Sequence, residues 1–467
     1  MTPLHIIRKA VAPEAATLDA WKDRIAGREA KVGIVGLGYV GLPLALLFSD
    51  ERFAVTGFDV DPLKVDFLNK GKSYIHRIEA ESIQAAQKNG FVATADFSEA
   101  RYLDAILICV PTPIDDHSAP DMSYVVNTIE ALAPHLHAGQ LVVLESTTYP
   151  GTTEEIIAAT IDRIGEETDV QVLRDRHSQE AETPQELDGV MVAFSPERED
   201  PGNTDVERHD IPKVIGGIDR RASEAAEVLY ASIFRRTVRV STPATAEMTK
   251  LLENIYRCVN IAMVNELKQL CMRMGIDIWE VIDAAATKPF GFQAFYPGPG
   301  IGGHCIPVDP FYLSWKAKEY HFSTRFIELA GEVNRSMPEH VIRSVVNALN
   351  DQGKSIKGAK VLMLGLAYKK DIDDLRESPS LPIYEMLEKK GAEVRYNDPY
   401  FPRVGSGRKY WLHAESAPLE KLDQYDCVVI VTDHSAYDFE KIVAESRLVV
   451  DTRNATRGIR SPKIYHC

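Results

Sequence analysis

The chain is poor in cysteine and has no Cys-x-x-Cys pair: its six cysteines, at 109, 258, 271, 305, 427 and 467, are scattered. Scattered thiols supply neither a disulfide framework nor a zinc site, so we expect a reduced, cytoplasmic protein without a bound metal. An apolar run of about 18 residues, the length needed to span a bilayer, is also missing. Met1 to Ala30 is amphipathic and charged, without the apolar core of a signal peptide. Positive charge is in deficit, with 53 Lys and Arg against 68 Asp and Glu and a net charge of −15. That balance argues against nucleic acid or an anionic membrane as a partner. A phosphate-bearing ligand must then be held by local cations and backbone amides.

What is present is an ordinary globular composition, 45% hydrophobic and 26% charged, spread over 467 residues. That length exceeds a single core, and two or three domains are expected. After a helix predicted over about Ala15 to Gly27, Lys31 to Val35 is a short apolar strand that runs straight into Gly36-Leu37-Gly38-Tyr39-Val40-Gly41. The following Leu42 to Phe48 is helical in character. The glycines therefore lie at a strand-to-helix turn, where backbone amides and the helix N-terminus face a pyrophosphate. A second strand, Phe53 to Phe58, leads to Asp59, 23 residues beyond Gly36. An acid there accepts hydrogen bonds from ribose hydroxyls and repels a 2′-phosphate, which favours NAD over NADP.

Further strands are predicted at Ala105 to Val110, Gln140 to Glu145, Met191 to Phe194 and Lys213 to Ile215, alternating with helices such as Met122 to Leu136 and Thr153 to Ile164. Such alternation builds a doubly wound parallel sheet with ligands at the carboxyl ends of its strands. Polar clusters follow three of those strands: Pro111-Thr112-Pro113, Glu145-Ser146-Thr147 and Ser195-Pro196-Glu197-Arg198. Singly each is ordinary turn chemistry; together they mark one site. The hydrophilic stretch 174–184 reads as a solvated loop without chemistry.

From Thr245 to about Met274 the pattern is one long helix, with Leu251, Ile255, Cys258 and Ala262 as its buried stripe. Lys250 and Asn254 form an adjacent polar row, which is either a solvated edge or the counterpart of something catalytic opposite. Pro297 to Pro310 holds four glycines and four prolines in fourteen residues, with Cys305 and Asp309 within it. This composition excludes regular structure and fixes a tight loop. Cys305 is either a small buried residue or a nucleophile activated by a nearby cation or by the helix predicted from Phe311 to Lys318. After a helix at Pro338 to Asn350, a second α/β unit begins at Gly358, with later strands at Glu393 to Asn397, Cys427 to Val431 and Arg447 to Val450. It lacks the glycine fingerprint. Instead it offers Lys369, Lys370 and Arg376, which read either as a diphosphate clamp or as surface charge.

These motifs, taken with Lys369 to Pro379, occur in one order, and from about Lys31 onward the chain resembles the UDP-glucose/GDP-mannose dehydrogenase family. Within it, Lys288-Pro289-Phe290-Gly291-Phe292 leading to Phe295-Tyr296-Pro297-Gly298-Pro299-Gly300 is most similar to the branch acting on UDP-N-acetylglucosamine. The resemblance implies two Rossmann-like doubly wound domains joined by a central helical domain that forms a homodimer or higher oligomer. The expected boundaries are 1–30 for an N-terminal extension, 31–240 for the NAD domain, 241–335 for the helical domain and 336–467 for the UDP-sugar domain.

By the same resemblance, NAD is held by Gly36, Gly38, Tyr39, Val40, Gly41, Asp59, Lys64, Thr112, Thr147 and Arg376. The UDP-sugar is held by Glu197, Arg198, Lys250, Asn254, Tyr296, Gly302, Gly303 and Lys369. The family reaction takes a sugar C6 hydroxyl to a carboxylate in two oxidations, in the cleft between the two α/β halves. The expected catalytic set is Cys305, Lys250, Asn254, Asp309, Glu145 and Thr112. An aldehyde has no hydride ready to leave until a nucleophile adds, and Cys305 supplies that nucleophile. Lys250 and Asn254 hold the developing alkoxide. Asp309 and Thr112 order water, and Glu145 is a candidate general base, with the division among the carboxylates left open. The same chemistry on UDP-glucose, UDP-N-acetylmannosamine or UDP-N-acetylgalactosamine stays open, and two further readings remain: a one-step hydroxyacid-type dehydrogenase, which leaves Cys305 unexplained and forms one NADH, and a non-catalytic binding protein, which forms none.

Overall fold

The computed structural model describes residues 17–75, 78–115, 119–175, 185–199, 207–303, 306–405 and 412–467. His304, Cys305 and most of the 174–184 stretch lie outside the described residues. The chain divides into two compact units, Met1–Leu252 and Glu253–Cys467.

The first unit carries β1 (Lys31–Val35), β2 (Ala54–Phe58), β3 (Val92–Thr94), β4 (Ala105–Ile108), β5 (Leu141–Leu144), β6 (Met191–Phe194), β7 (Lys213–Gly217) and β8 (Thr237–Arg239). They form one sheet in the order β3-β2-β1-β4-β5-β6-β7-β8. Every pairing is parallel except that of β6 with β7. The central strands are apolar throughout because both faces are covered. Ala105 and Leu107 join the core on one face, Ile106 and Ile108 the core on the other, and β5 and β6 alternate in the same way. Each fully buried Leu, Ile or Phe contributes ~1.5–3 kcal/mol. Polar side chains are therefore deferred to the strand ends, and the sheet reverses direction of winding between β1 and β4, where a crevice opens.

The second unit repeats the plan with β9 (Lys360–Leu364), β10 (Glu393–Asn397), β13 (Cys427–Ile430), β14 (Val449–Asp451) and β15 (Ile464–His466). Their order is β10-β9-β13-β14-β15, all parallel, and β11 (Arg403–Val404) pairs with β12 (Ala414–Glu415) apart from them. The α/β architecture expected from the sequence is therefore present twice.

Between the sheets in the chain, the long helix Pro243–Met274 begins in the first unit and continues in the second. Leu251, Cys258 and Ala262 of the expected stripe are buried, but Ile255 is only half-buried, because the buried face turns toward its neighbour Asn254. One expectation is corrected. The helix predicted to begin at Pro338 runs from Arg325 to Asp351 with Pro338 inside it. Proline removes one backbone hydrogen bond, and the Asn334 carbonyl it leaves free lies 3.7 Å from where a Cβ on Gly300 would sit. The interior proline thus lies under the glycine-rich loop rather than starting a helix.

Candidate active site

At the end of β1 the backbone turns at Gly36, whose φ of +90° is costly for any residue with a side chain. A Cβ on Gly41 would stand 2.0 Å from the Gly36 carbonyl oxygen, so helix Gly41–Asp50 can approach β1 only as glycine. A Cβ on Gly38 would meet nothing within 4 Å, which leaves that face of the turn open. The helix has no side-chain cap and no acid in its first turn, so its N-terminal amides and dipole are available to an anion. Tyr39 is exposed beside them. Asp59, at the end of β2, accepts from Leu37 N at 3.0 Å, Asp61 N at 3.0 Å and Lys64 Nζ at 3.0 Å. A carboxylate has about four acceptor positions, and these three donors leave one open. This turn fits an adenosine ribose and a pyrophosphate.

Beyond β4, β5 and β6 the three polar clusters come together within the first unit. Thr112 Oγ1 donates to the Thr147 carbonyl at 2.8 Å. Glu145 is sealed: Lys213 Nζ bonds one oxygen at 2.6 Å and Tyr230 Oη the other at 2.5 Å. Lys213 also lies 3.7 Å from Glu197. Glu197 in turn accepts from Arg198 N at 2.7 Å and Glu199 N at 2.8 Å, while the Arg198 guanidinium reaches the Pro212 carbonyl.

Two carboxylates sharing one lysine are driven apart. Burial pushes Glu145 above the usual carboxylate range despite Lys213. Burial acts on Glu197 as well, but Lys213, Arg208, the Glu199 amide and Lys250 outweigh it and hold Glu197 low. Lys250 is 5% exposed, so the solvated-edge reading of its row fails. The structure also weighs against Glu145 as the base that meets water, since both its oxygens are committed.

Within the second unit, Asn254 is buried on the long helix and its amide donates to Asp309 at 2.5 Å. Asp309 is itself buried and opens helix Asp309–Ala317. The loop between is seated by polar and apolar anchors. Asn265 accepts from Gly298 N at 2.9 Å, and Ile301 and Ile306 pack on Cys258, Ala262 and Ala330. Gly303 N donates to the Arg376 carbonyl at 2.9 Å. A Cβ on Gly302 would stand 2.4 Å from Tyr368 Cβ, so only glycine permits this contact. Cys305, in this loop, lies outside the described residues. Lys369 is half-buried on the segment after β9, and the Arg376 guanidinium pairs with Asp374 at 2.7 Å. Tyr296 is half-exposed, stacked on Trp279 and bonded to Asp283 at 2.9 Å.

Three family models match this chain in succession: the UDP-glucose/GDP-mannose dehydrogenase family NAD binding domain over residues 30–234, its central domain over 244–336 and its UDP binding domain over 362–458. The chain belongs to the UDP-glucose/GDP-mannose dehydrogenase family. It is 36% identical to an NDP-N-acetyl-D-galactosaminuronic acid dehydrogenase of Ralstonia nicotianae, over 90% of this chain and 95% of that one. It is 32% identical to a UDP-N-acetyl-D-glucosamine 6-dehydrogenase of Pseudomonas aeruginosa, over 90% and 93%. Among solved structures, a UDP-D-ManNAc dehydrogenase of Pyrococcus horikoshii superposes with a TM-score of 0.81 at 30% identity, over 93% of this chain and 98% of that one.

The protein is an NAD-dependent nucleotide-sugar dehydrogenase of this family, and the glycine turn with Asp59 fits its cofactor. Among the described residues no helix is long and apolar enough to cross a membrane. Sequence reasoning missed Lys213 and Tyr230. A lysine opening a strand that is buried on both faces, as Lys213 opens β7, was the available signal, because a buried cation requires a counter-ion.

Proposed function

We propose that this dehydrogenase oxidises the C6 hydroxyl of a UDP-N-acetylhexosamine, UDP-N-acetylglucosamine first, to the uronate through a thioester on Cys305. The observation that carries the chemistry is the Asn254–Asp309 bond, because it ties the helix bearing Lys250 to the residue four beyond Cys305. NAD bound at the glycine turn supplies the hydride acceptor, two molecules for the four-electron change. Lys250 stabilises the oxygen of the alkoxide and of the thiol adduct, and Asn254, oriented by Asp309, donates to the same oxygen. The Cys305 thiolate adds to the aldehyde carbon; loss of hydride leaves a thioester, and water releases carboxylate and thiol. Asp309, buried and bonded to Asn254, is the proposed acceptor of that water's proton, and Thr112 the proposed side chain that orders it. Glu197 and Lys369 contact the substrate.

The sugar preference rests on the Lys288–Gly300 motif and on relatives whose names carry N-acetylated sugars. The test is NADH formed per sugar at limiting UDP-N-acetylglucosamine, UDP-N-acetylmannosamine, UDP-N-acetylgalactosamine and UDP-glucose. Two NADH from UDP-N-acetylglucosamine, lost in Cys305→Ser, is expected. Two NADH from another sugar overturns only the preference, whereas one NADH, or turnover indifferent to Cys305, overturns the thioester route.

A further inference from the structure

The two α/β units share one construction at the first turn of their sheets and differ in what faces it. In the first, Gly36 has a φ of +90°, its N–H donates to Phe58 O, and Asp59 accepts from Leu37 N. In the second, Gly365 has a φ of +85°, its N–H donates to Asn397 O, and Asp398 accepts from Leu366 N at 2.7 Å and Ala367 N at 3.1 Å. Asp398 Oδ1 accepts from Tyr400 N at 2.8 Å, as Asp59 does from Asp61 N. The side chain that completes the set is different. Asp59 is met by the half-exposed Lys64, but Asp398 is met at 3.1 Å by His434 Nε2, and both partners of that pair are wholly buried. A ribose hydroxyl cannot reach Asp398.

His434 continues outward. Its Nδ1 accepts from Asp371 N at 3.0 Å, so the ring proton sits on Nε2 and the imidazole links Asp398 to Asp371. Asp371 holds a left-handed φ of 57° and accepts from Ser435 N at 2.8 Å and Ser435 Oγ at 2.6 Å. The segment between these ties carries Tyr368, Lys369 and Lys370, and Tyr368 is the residue on which Gly302 and Gly303 rest. The helix that would start at once in the first unit's arrangement is postponed to Ser380, and this pinned segment takes its place.

We propose that His434 is a positioning residue: it closes the ribose-accepting acid of the second unit and uses it to fix the segment 366–371, so that Lys369 meets the diphosphate of the UDP-sugar. This rests on the reading of that segment as the UDP-sugar contact. Its test is UDP affinity by titration calorimetry for His434→Ala, His434→Gln, Lys369→Met and the His434→Ala/Lys369→Met double variant, with NAD affinity measured on each. His434→Ala is expected to weaken UDP about tenfold and leave NAD within twofold. Glutamine, which can donate to Asp398 and accept from Asp371, restores most of the loss. Because His434 acts through Lys369, the double variant binds UDP no more weakly than the worse single one. UDP affinity unchanged in His434→Ala, beside a weakened Lys369→Met, overturns this inference alone, as do losses that multiply in the double variant. A neutral Lys369→Met overturns the underlying reading of the segment as well.

Discussion

Lys213 shows how one side chain decides the charge of a site. Its ammonium sits 2.6 Å from Glu145 and 3.7 Å from Glu197, with the rings of Tyr230 and Phe234 beneath it. The pair with Glu145 is removed from water, and removing one partner of a buried pair costs ~3–5 kcal/mol, because a charge is left uncompensated. Lys213→Met is expected to lose about that much stability in urea unfolding. Lys213→Arg, which keeps the charge, loses much less. Equal stability for Lys213→Met and the parent would show that Glu145 takes a proton and needs no cation. The sequence shows Glu145 at a strand end and Lys213 opening an apolar strand, but not that the two meet, because they are far apart in the chain and pair only once the sheet forms. The glycine turn was legible because all its parts are local: strand, glycines, helix and Asp59 fall within one short segment.

The elements were read well where burial imposes a period and poorly where a residue's habit was taken for its position. Strands β4, β5 and β6 are continuous apolar runs and fell where expected. Proline favours the first turn of a helix, yet Pro338 lies buried in the interior of helix Arg325–Asp351, where packing overrides that habit. The same helix carries His340, whose Nε2 is buried with no hydrogen-bond partner among the described residues. Burial, then Lys268 and Arg273 on the long helix and Arg343 on its own, hold its pKa down to about 4. An unfolded histidine titrates near ~6.5. Between those values the unfolded chain binds a proton that the folded chain refuses, so stability is full above ~6.5 and falls as pH drops toward about 4. Between pH 7 and pH 5 the loss attributable to His340 is about 2 kcal/mol. Urea midpoints at both pH values should therefore converge in His340→Asn relative to the parent; an undiminished pH dependence would assign it to other groups.

At the scale of the molecule, each unit has its own sheet and its own pair of cores, and each presents a different answer to the same strand-turn problem. The first closes its acid only with the half-exposed Lys64 and leaves its helix N-terminus uncapped; the second seals its acid with the wholly buried His434 and substitutes a cationic segment. On the reading proposed above, two ligands of related chemistry, a dinucleotide and a nucleotide sugar, are sorted to different units without different folds. Hydrogen exchange with one ligand at a time measures the sorting. A ligand at 100 times its dissociation constant adds ~2.7 kcal/mol to whatever structure must open to release it, about a hundredfold slowing of the amides concerned. NAD alone is expected to slow amides at 36–42 and 59–64, and UDP alone those at 365–379 and 432–435. Equal protection of both sets by either ligand would mean that the units open together, and protection of 36–42 by UDP would place the nucleotide sugar in the first unit. Since the glycine turn and the His434 segment differ in which acid a ribose can reach, the segregated result is the one their geometry requires.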